Sequence, residues 1–211
     1  MNEKFFSLPK EKQQCIINAG YNVFSQNSYK KSPMSEIADA AGISKSLLFH
    51  YFRNKKELYL YLWDEGARIT TEYMTRHDCY KKADLFEMME RSMKAKLEIM
   101  RIYPNLATFT LKAFYEKDPE VHDDIQKSFA NYFSTKAQNA IEGLDPDDFV
   151  PGTDLRLMYR EMYWTSIGYM WEMMQQGEID ADRLEKDFSD MLAFWKKIFL
   201  KEINQGDGSS D

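Results

Sequence analysis

Apolar residues recur along this chain with the spacing of α-helices, and no segment alternates with the period of two that is typical of strands. Over residues 10–26, for example, Ile16, Ala19, Val23 and Phe24 fall on one helical face. The pattern predicts further helices at residues 54–77, 82–103, 104–117, 119–142, 154–176 and 180–203. The chain is therefore predicted to be all-α, with one long loop at residues 143–152.

Two short helices are predicted between the first segment and the long helix that begins near Asn54, with Leu58, Leu62 and Ile69 as its inner positions. Ser32 can cap the first short helix, and Pro33 suits its first position because the amide there has no partner. Gly42 ends it, and Ser44 can cap the second. The inward positions of the first short helix are Ile37, Ala38 and Ala41, and the second carries Leu47, Leu48 and Tyr51.

Proline is expected in the first turn of two later helices, at Pro104 and Pro119. The last residues, GDGSSD, contain nothing that could form a core, and residues 205–211 are expected to be a disordered tail.

The charge is divided unevenly between the two parts of the chain. Residues 1–60 carry a net charge of +4, whereas the remaining residues carry −10. A basic segment on an acidic body fits a domain that binds a polyanion, although a modest excess of lysine is also common on a solvated face.

The composition is that of an ordinary folded protein, with 44% hydrophobic and 29% charged residues. No apolar run approaches the roughly 20 residues that cross a bilayer, and the first residues lack the apolar stretch of a signal peptide. Cys15 and Cys79 are expected to be reduced thiols. We therefore expect a cytoplasmic protein without a membrane segment.

The sequence MSEIADAAGISKSLLFHYF has the features of a helix-turn-helix. Such a unit needs a small residue at the helix crossing, a glycine at the corner and apolar residues that lock the second helix. Ala38 and Gly42 supply the first two, and the locking positions are Ile43, Leu48 and Tyr51 or Phe52. On these residues alone, an ordinary corner between two helices is the favoured interpretation.

A longer pattern, from Gln14 to Leu58, resembles the DNA-binding domain of the TetR/AcrR family of bacterial regulators. It comprises Ala19, Gly20 and Phe24 in the first helix, then SPMSEIADAAGISKS and LLFHYFRNKKEL. The resemblance implies a three-helix DNA-binding domain at residues 1–53, followed by a helical ligand-binding and dimerisation domain at residues 54–204. The partners that it implies are an operator in double-stranded DNA, a second copy of the chain and a small effector.

The resemblance also implies which residues contact DNA. Ser44, Lys45 and Ser46 would begin the recognition helix in the major groove, and Phe49, His50 and Tyr51 would follow on its exposed side. Where Phe49 stands, the family usually has tyrosine, so Phe49 either contacts a thymine methyl group or packs inward. His50 is equally well explained as a solvated histidine.

Two residues are candidates for phosphate contacts: Tyr51, and Lys55 at the start of the next helix. Tyr51 can donate its hydroxyl to a phosphate while its ring packs on the core. Lys55 joins a positive charge to the unpaired amides of a helix N-terminus, which favours a phosphate contact.

The second part of the chain is rich in methionine, with eleven of the 13 methionines beyond residue 60, many beside aromatic residues. Methionine fills irregular spaces, so the helices either enclose a cavity for an apolar or aromatic effector or form a well-filled core. The resemblance favours the cavity. The candidate lining residues are Met89, Met93, Phe114, Phe133, Met162 and Trp171.

The last two helices resemble the dimerisation pair of the family. The final helix is apolar over more than one face, through Leu184, Phe188, Met191, Leu192, Phe194, Trp195, Ile198 and Phe199. A second subunit would cover the excess, whereas the alternative is a helix wedged into its own domain.

The phosphate-loop, dinucleotide, serine-hydrolase and zinc-protease motifs are missing, so no enzyme activity and no cofactor is expected. His77 with Cys79, and His122 with its two following aspartates, are incomplete as metal sites, and no metal is expected. The sequence predicts a ligand-responsive transcription regulator, most simply a repressor released from its operator by an apolar or aromatic molecule. The alternative is a helical protein that organises DNA or binds protein partners without an effector.

Overall fold

The computed structural model describes residues 3–81, 84–177 and 180–201, apart from the side chains of residues 132–140. The described residues form helices without a strand, which confirms the all-α prediction. The helices are α1 (Glu3–Phe6), α2 (Lys10–Gln26), α3 (Met34–Ala40), α4 (Lys45–Tyr51), α5 (Lys55–Arg76), α6 (Leu85–Ile102), α7 (Leu106–Tyr115), α8 (His122–Glu142), α9 (Leu155–Gln176) and α10 (Ala181–Phe199).

Side-chain caps explain where several helices begin. Ser44 accepts the amide hydrogen of Leu47 at α4, and Asn54 accepts that of Glu57 at α5. Aspartates do the same at the first turns of α6, α9 and α10. Each such cap typically contributes about 1 kcal/mol to stability, so the local sequence sets these boundaries.

Two clusters of buried side chains hold the helices together. The first cluster runs from Phe5 in α1 through the helices of residues 3–53, here called the head, and continues along α5 to Phe109 in α7 and Ile125 in α8. The second joins α6, α9 and α10 through Met93, Met162 and Trp195. The first cluster thus continues from the head into residues 54–201, here called the body. The boundary between domains at residues 53 and 54 stays a prediction.

A glycine permits the close crossing of α2 and α5. A Cβ atom on Gly20 would lie 2.5 Å from Cδ1 of Leu62, which is itself fully buried. The same two helices are tied by Tyr21, whose hydroxyl donates to the carbonyl of Leu62 at 3.0 Å. The close contact between α2 and α5 therefore joins the head to the body.

Several sequence predictions are corrected at the level of single residues. Ser32 does not cap α3: its hydroxyl donates to the carbonyl of Ser28 at 2.9 Å, and Pro33 occupies the N-cap without a side-chain bond. Leu47 is exposed, because the α4 face that packs inward carries Leu48 and Tyr51.

The two later prolines lie before their helices and not in the first turns. Helix α7 begins at Leu106 and α8 at His122, so Pro104 and Pro119 belong to the preceding turns. The predicted loop at residues 143–152 is confirmed but contains a 3-10 turn at Pro146–Asp148, and Phe149 pairs with Leu200. Helix α1 was not predicted. The expected disordered tail lies outside the described residues.

Candidate nucleic-acid interface

The corner between α3 and α4 is closed by a glycine in the left-handed region. Gly42 has a φ of 66°, its amide donates to Asp39, and the amide of Ile43 donates to Ala38, both at 3.0 Å. These bonds satisfy carbonyls that the end of α3 leaves unpaired. Ser44 then starts α4 only two residues later, so the direction of α4 is fixed by the corner.

One face of α4 is locked onto the head. Leu48 is fully buried, Tyr51 nearly so, and Phe52 follows at the end of the helix without exposure. The ring of Phe5 in α1 lies 5.0 Å from that of Phe52 and 6.0 Å from that of Tyr51. Helix α1 therefore supports α4 from behind. This contact could not be predicted, because the four residues of α1 are too few to show a helical period.

The opposite face of α4 is open. Five of the predicted DNA contacts lie there with their side chains exposed, and we call them the recognition surface: Ser44, Lys45, Ser46, Phe49 and His50. The ammonium of Lys45 lies 6.0 Å from the centre of the Phe49 ring. Phe49 is 40% exposed, so of its two alternatives the structure favours the outward one.

The other two predicted contacts are held more tightly by the protein. The prediction that Tyr51 lies on the exposed side of α4 is wrong: Tyr51 is buried, and its ring packs inward on the core. Nζ of Lys55 donates to the carbonyls of Tyr29 at 2.9 Å and Lys30 at 3.3 Å, and it lies 4.4 Å from the centre of the Tyr29 ring. An ammonium has three donors, so a phosphate could use only the third.

Two cations, one at the end of the head and one in the first turn of α5, form ion pairs. Arg53 pairs with Glu57 at 3.1 Å and Lys56 with Asp124 at 2.8 Å. Lys30 and Lys31, which lie on the turn before α3, are both exposed. Apart from the overall charge excess, nothing in the sequence singles out Lys30 and Lys31. Both lie on the turn that Lys55 binds.

The predicted ligand residues do not form one group. Met93 and Met162 are buried in the second cluster, and Met89 packs against it. Phe114 instead faces Phe129, with ring centres 4.4 Å apart, and the half-exposed Trp171 lies 4.9 Å from Tyr115. The side chain of Phe133 lies outside the described residues. The lining of an effector site therefore stays a prediction.

His77, a candidate metal ligand near Cys79, is hydrogen-bonded to an acidic residue. Nε2 of His77, at the end of α5, lies 2.6 Å from Oε2 of Glu98 in α6. This hydrogen bond, with nearby Arg76, lowers the pKa of Glu98. Within the described ranges, no three metal-ligating side chains converge, and the pair serves as a tie between α5 and α6.

A membrane-spanning role finds no support in the helices of residues 3–81, 84–177 and 180–201. None of these helices is both long enough and apolar enough to cross a bilayer.

Comparison with known proteins finds similar sequences and the same fold. The family model of bacterial regulatory proteins of the tetR family matches residues 16–62, which cover α3, α4 and most of α2. The fatty acid metabolism regulator protein of Bacillus subtilis is 25% identical over 156 residues, covering 74% of this chain and 80% of that protein.

Solved structures extend the likeness to the body. The TetR family protein CprB from Streptomyces coelicolor, in complex with its operator, has a TM-score of 0.70 at 16% identity and covers 92% of this chain and 91% of its own. FadR from Bacillus subtilis in complex with stearoyl-CoA has a TM-score of 0.61 at 24% identity, over 84% of this chain and 96% of its own. The match at the helix-turn-helix and the shared fold of the body lead to one conclusion: residues 16–62 form a DNA-binding domain of the tetR family of bacterial regulatory proteins, and the rest of the chain has the fold of solved structures from that family.

Proposed function

We propose that the protein is a homodimeric repressor that binds a two-fold operator through the recognition surface and leaves it when an apolar small molecule binds the body. The observation that carries the proposal is the division of α4 into two faces. Leu48 and Tyr51 fix the helix to the head, while Lys45 and its neighbours are left uncovered by the protein. A rigid helix with an exposed polar and cationic face suits the major groove.

Dimerisation through α9 and α10 is supported by the exposed apolar residues of both helices. In α10, Leu184, Phe188 and Trp195 are buried against the chain itself, but Phe194 is 60% exposed and Ile198 is 44% exposed. In α9, Leu157, Trp164 and Trp171 are exposed as well. Large apolar side chains on two helices favour a second copy of the chain as their cover.

The effector class that we propose is supported by the buried methionines of the body and by two similar proteins. The second cluster contains four buried methionines, Met93, Met158, Met162 and Met173, whose flexible side chains adapt to an unbranched chain. Two similar proteins add support: the named regulator of fatty acid metabolism and the structure that holds stearoyl-CoA. We therefore propose a long-chain acyl thioester as the effector class. The alternative of a DNA-organising protein without an effector is not favoured, because FadR, which is similar in structure and binds stearoyl-CoA, is a transcriptional regulator.

The test begins with selection of bound duplexes from a random DNA library. The selected operator should be an approximate palindrome whose half-site centres are about 34–36 Å apart, one turn of DNA. Stearoyl-CoA is then titrated calorimetrically into the free protein and into the protein–operator complex, with coenzyme A as the control without an acyl chain.

Binding of stearoyl-CoA should be weaker in the complex by roughly 5–150-fold, since a coupling of about 1–3 kcal/mol acts equally in both directions. Coenzyme A should not displace the DNA. Equal dissociation constants for stearoyl-CoA in the two titrations would exclude the acyl effector while leaving DNA binding intact, because equal affinity for both states shifts neither.

A further inference from the structure

The turn between α2 and α3 is held from two sides at a single residue. The amide of Tyr29 donates to Oε2 of Glu116 at 2.7 Å. The carbonyl of Tyr29 accepts from Nζ of Lys55 at 2.9 Å. One backbone unit of the head is therefore bonded both to the connection after α7 and to the first residue of α5.

The ring of Tyr29 fixes the same turn by packing. It is 2% exposed, and its centre lies 5.0 Å from that of Tyr59 in α5, in an edge-to-face arrangement. The ring centre of Phe24 in α2 lies 6.4 Å away. With backbone and side chain both held, the turn cannot shift without breaking one of these contacts.

Glu116 is fixed on the body side. Its other oxygen, Oε1, accepts from the amides of Lys117 at 2.8 Å and Asp118 at 3.0 Å. Both carboxylate oxygens are thus engaged, one by the body and one by the head. A displacement of the connection between α7 and α8 would therefore also displace the backbone of Tyr29.

The end of α7 faces α9. Tyr115, the residue before Glu116, lies ring to ring with Trp171 at 4.9 Å, and Phe114 lies 4.4 Å from Phe129 in α8. A movement of α8 or α9 therefore reaches Glu116 through directly contacting side chains.

The turn in its own right sets the position of α4. Met34 begins α3 five residues after Tyr29, and α3 joins α4 through the corner at Gly42. Lys55, which binds the carbonyl of Tyr29, begins α5 four residues after the last residue of α4. The positions of both ends of the helix-turn-helix therefore depend on the turn that contains Tyr29.

We propose that the hydrogen bond from Tyr29 to Glu116 positions the head on the body, and that Glu116 is a positioning residue for operator recognition without contact to DNA. The inference rests on the proposed DNA-binding function. It assigns a defined task to a contact between residues 87 positions apart.

The negative charge of Glu116 and its proposed positioning role predict opposite effects of Glu116→Gln on DNA affinity. Removing a negative charge from a DNA-binding protein should by itself strengthen binding to any duplex. Glutamine at this position has one acceptor oxygen instead of two, so it must release either the head or the body. If Glu116 positions the head, Glu116→Gln should weaken binding to the operator in spite of the favourable change in charge.

The experiment compares the dissociation constants of the full chain for the selected operator and for a scrambled duplex, by fluorescence anisotropy at fixed salt. Glu116→Gln should weaken operator binding about tenfold, the order expected for one lost hydrogen bond to a charged acceptor, while binding to the scrambled duplex stays equal or becomes tighter. Asp124→Asn is the matched control. It removes the same charge from α8 and breaks an exposed ion pair with Lys56, and operator binding should stay within about twofold.

Glu116→Asp separates the effect of side-chain length from that of charge. It also tests the proposal if Glu116→Gln folds poorly. It keeps the charge but is one methylene shorter, so it should lose operator preference as well. Thermal melting of each variant checks that the fold persists. Unchanged preference for operator over scrambled DNA in folded Glu116→Gln or Glu116→Asp would overturn the inference. A wild-type protein that prefers no selected duplex would overturn the proposed function together with it.

Discussion

Phe5 is expected to stabilise the recognition helix from behind, and Phe5→Ala tests this against a neighbour of the same type. Phe5 is fully buried, with ring centres 5.0 Å from Phe52 and 5.4 Å from Tyr61, whereas Phe6, the next residue of the same helix, is 51% exposed. Truncating a buried phenylalanine typically costs about 3–5 kcal/mol. Phe6→Ala is the matched control and should stay within about 0.5 kcal/mol.

The lower end of that range applies to Phe5. Helix α1 has only four residues, so it can detach locally in the variant instead of leaving a cavity. What opposes detachment is Gln13, whose Nε2 donates to the carbonyls of Phe6 at 3.1 Å and Leu8 at 2.7 Å. We therefore expect a loss of about 3 kcal/mol, which for a chain of this length corresponds to roughly 6–12 °C in Tm.

The measurement is thermal unfolding at one fixed protein concentration, because the Tm of a dimer depends on concentration. Operator affinity is measured on the same samples and should fall in Phe5→Ala but not in Phe6→Ala. Two variants that melt within about 2 °C of each other and bind the operator equally would refute the view that α1 supports α4.

Further outcomes are expected at the DNA surface, at the dimer face and in acid. Lys45→Ala should cost about 1–3 kcal/mol on the operator and relax the preference for one base pair in each half-site, as read by repeating the duplex selection. Lys55→Ala should lower the slope of log affinity against log salt by about 1–2 per dimer; an unchanged slope would mean that its ammonium serves only the Tyr29 turn. Phe194→Glu should give monomers in analytical ultracentrifugation, and a dimer of unchanged affinity would exclude α10 from the interface. Since the pKa of Glu98 is lowered from 4.5, its carboxylate stabilises the fold above that pH and the benefit is lost as the pH falls, so Glu98→Gln should melt with less pH dependence below about pH 4.5, and an equally steep fall in Tm would contradict this.

The sequence predicted those parts of the fold that depend on neighbouring residues. Helix α2 has the bounds that its apolar face predicts, and Ser44 and Asn54 cap α4 and α5 as capping residues should. Gly42 adopts the left-handed conformation expected at the corner. These features are set within a few residues by side chain and backbone chemistry, so they can be read without knowledge of the tertiary structure.

Features that depend on distant residues were not predictable in the same way. A four-residue helix such as α1 is too short to show a period, and only the tertiary contacts of Phe5 account for it. Ser32 had two kinds of hydrogen-bond partner nearby: its hydroxyl could accept from the amides of α3 or donate to the carbonyl of Ser28, and the structure selects the carbonyl. The bond from Tyr29 to Glu116 spans 87 residues, and no local pattern announces such a pair. The DNA contacts came from the resemblance, and the effector residues stay predictions.

Helix α5 is long enough that a small tilt about one end moves its other end by several ångströms. Its 22 residues extend from the end of the helix-turn-helix to the tie between His77 and Glu98, and at 1.5 Å per residue they span about 33 Å. A tilt of about 6° about one end would displace the other by about 3.4 Å, the rise of a single base pair. Under the proposed mechanism, a tilt of that size would move a recognition helix by a whole step along the DNA, which is enough to put the two recognition helices of a dimer out of register with their half-sites.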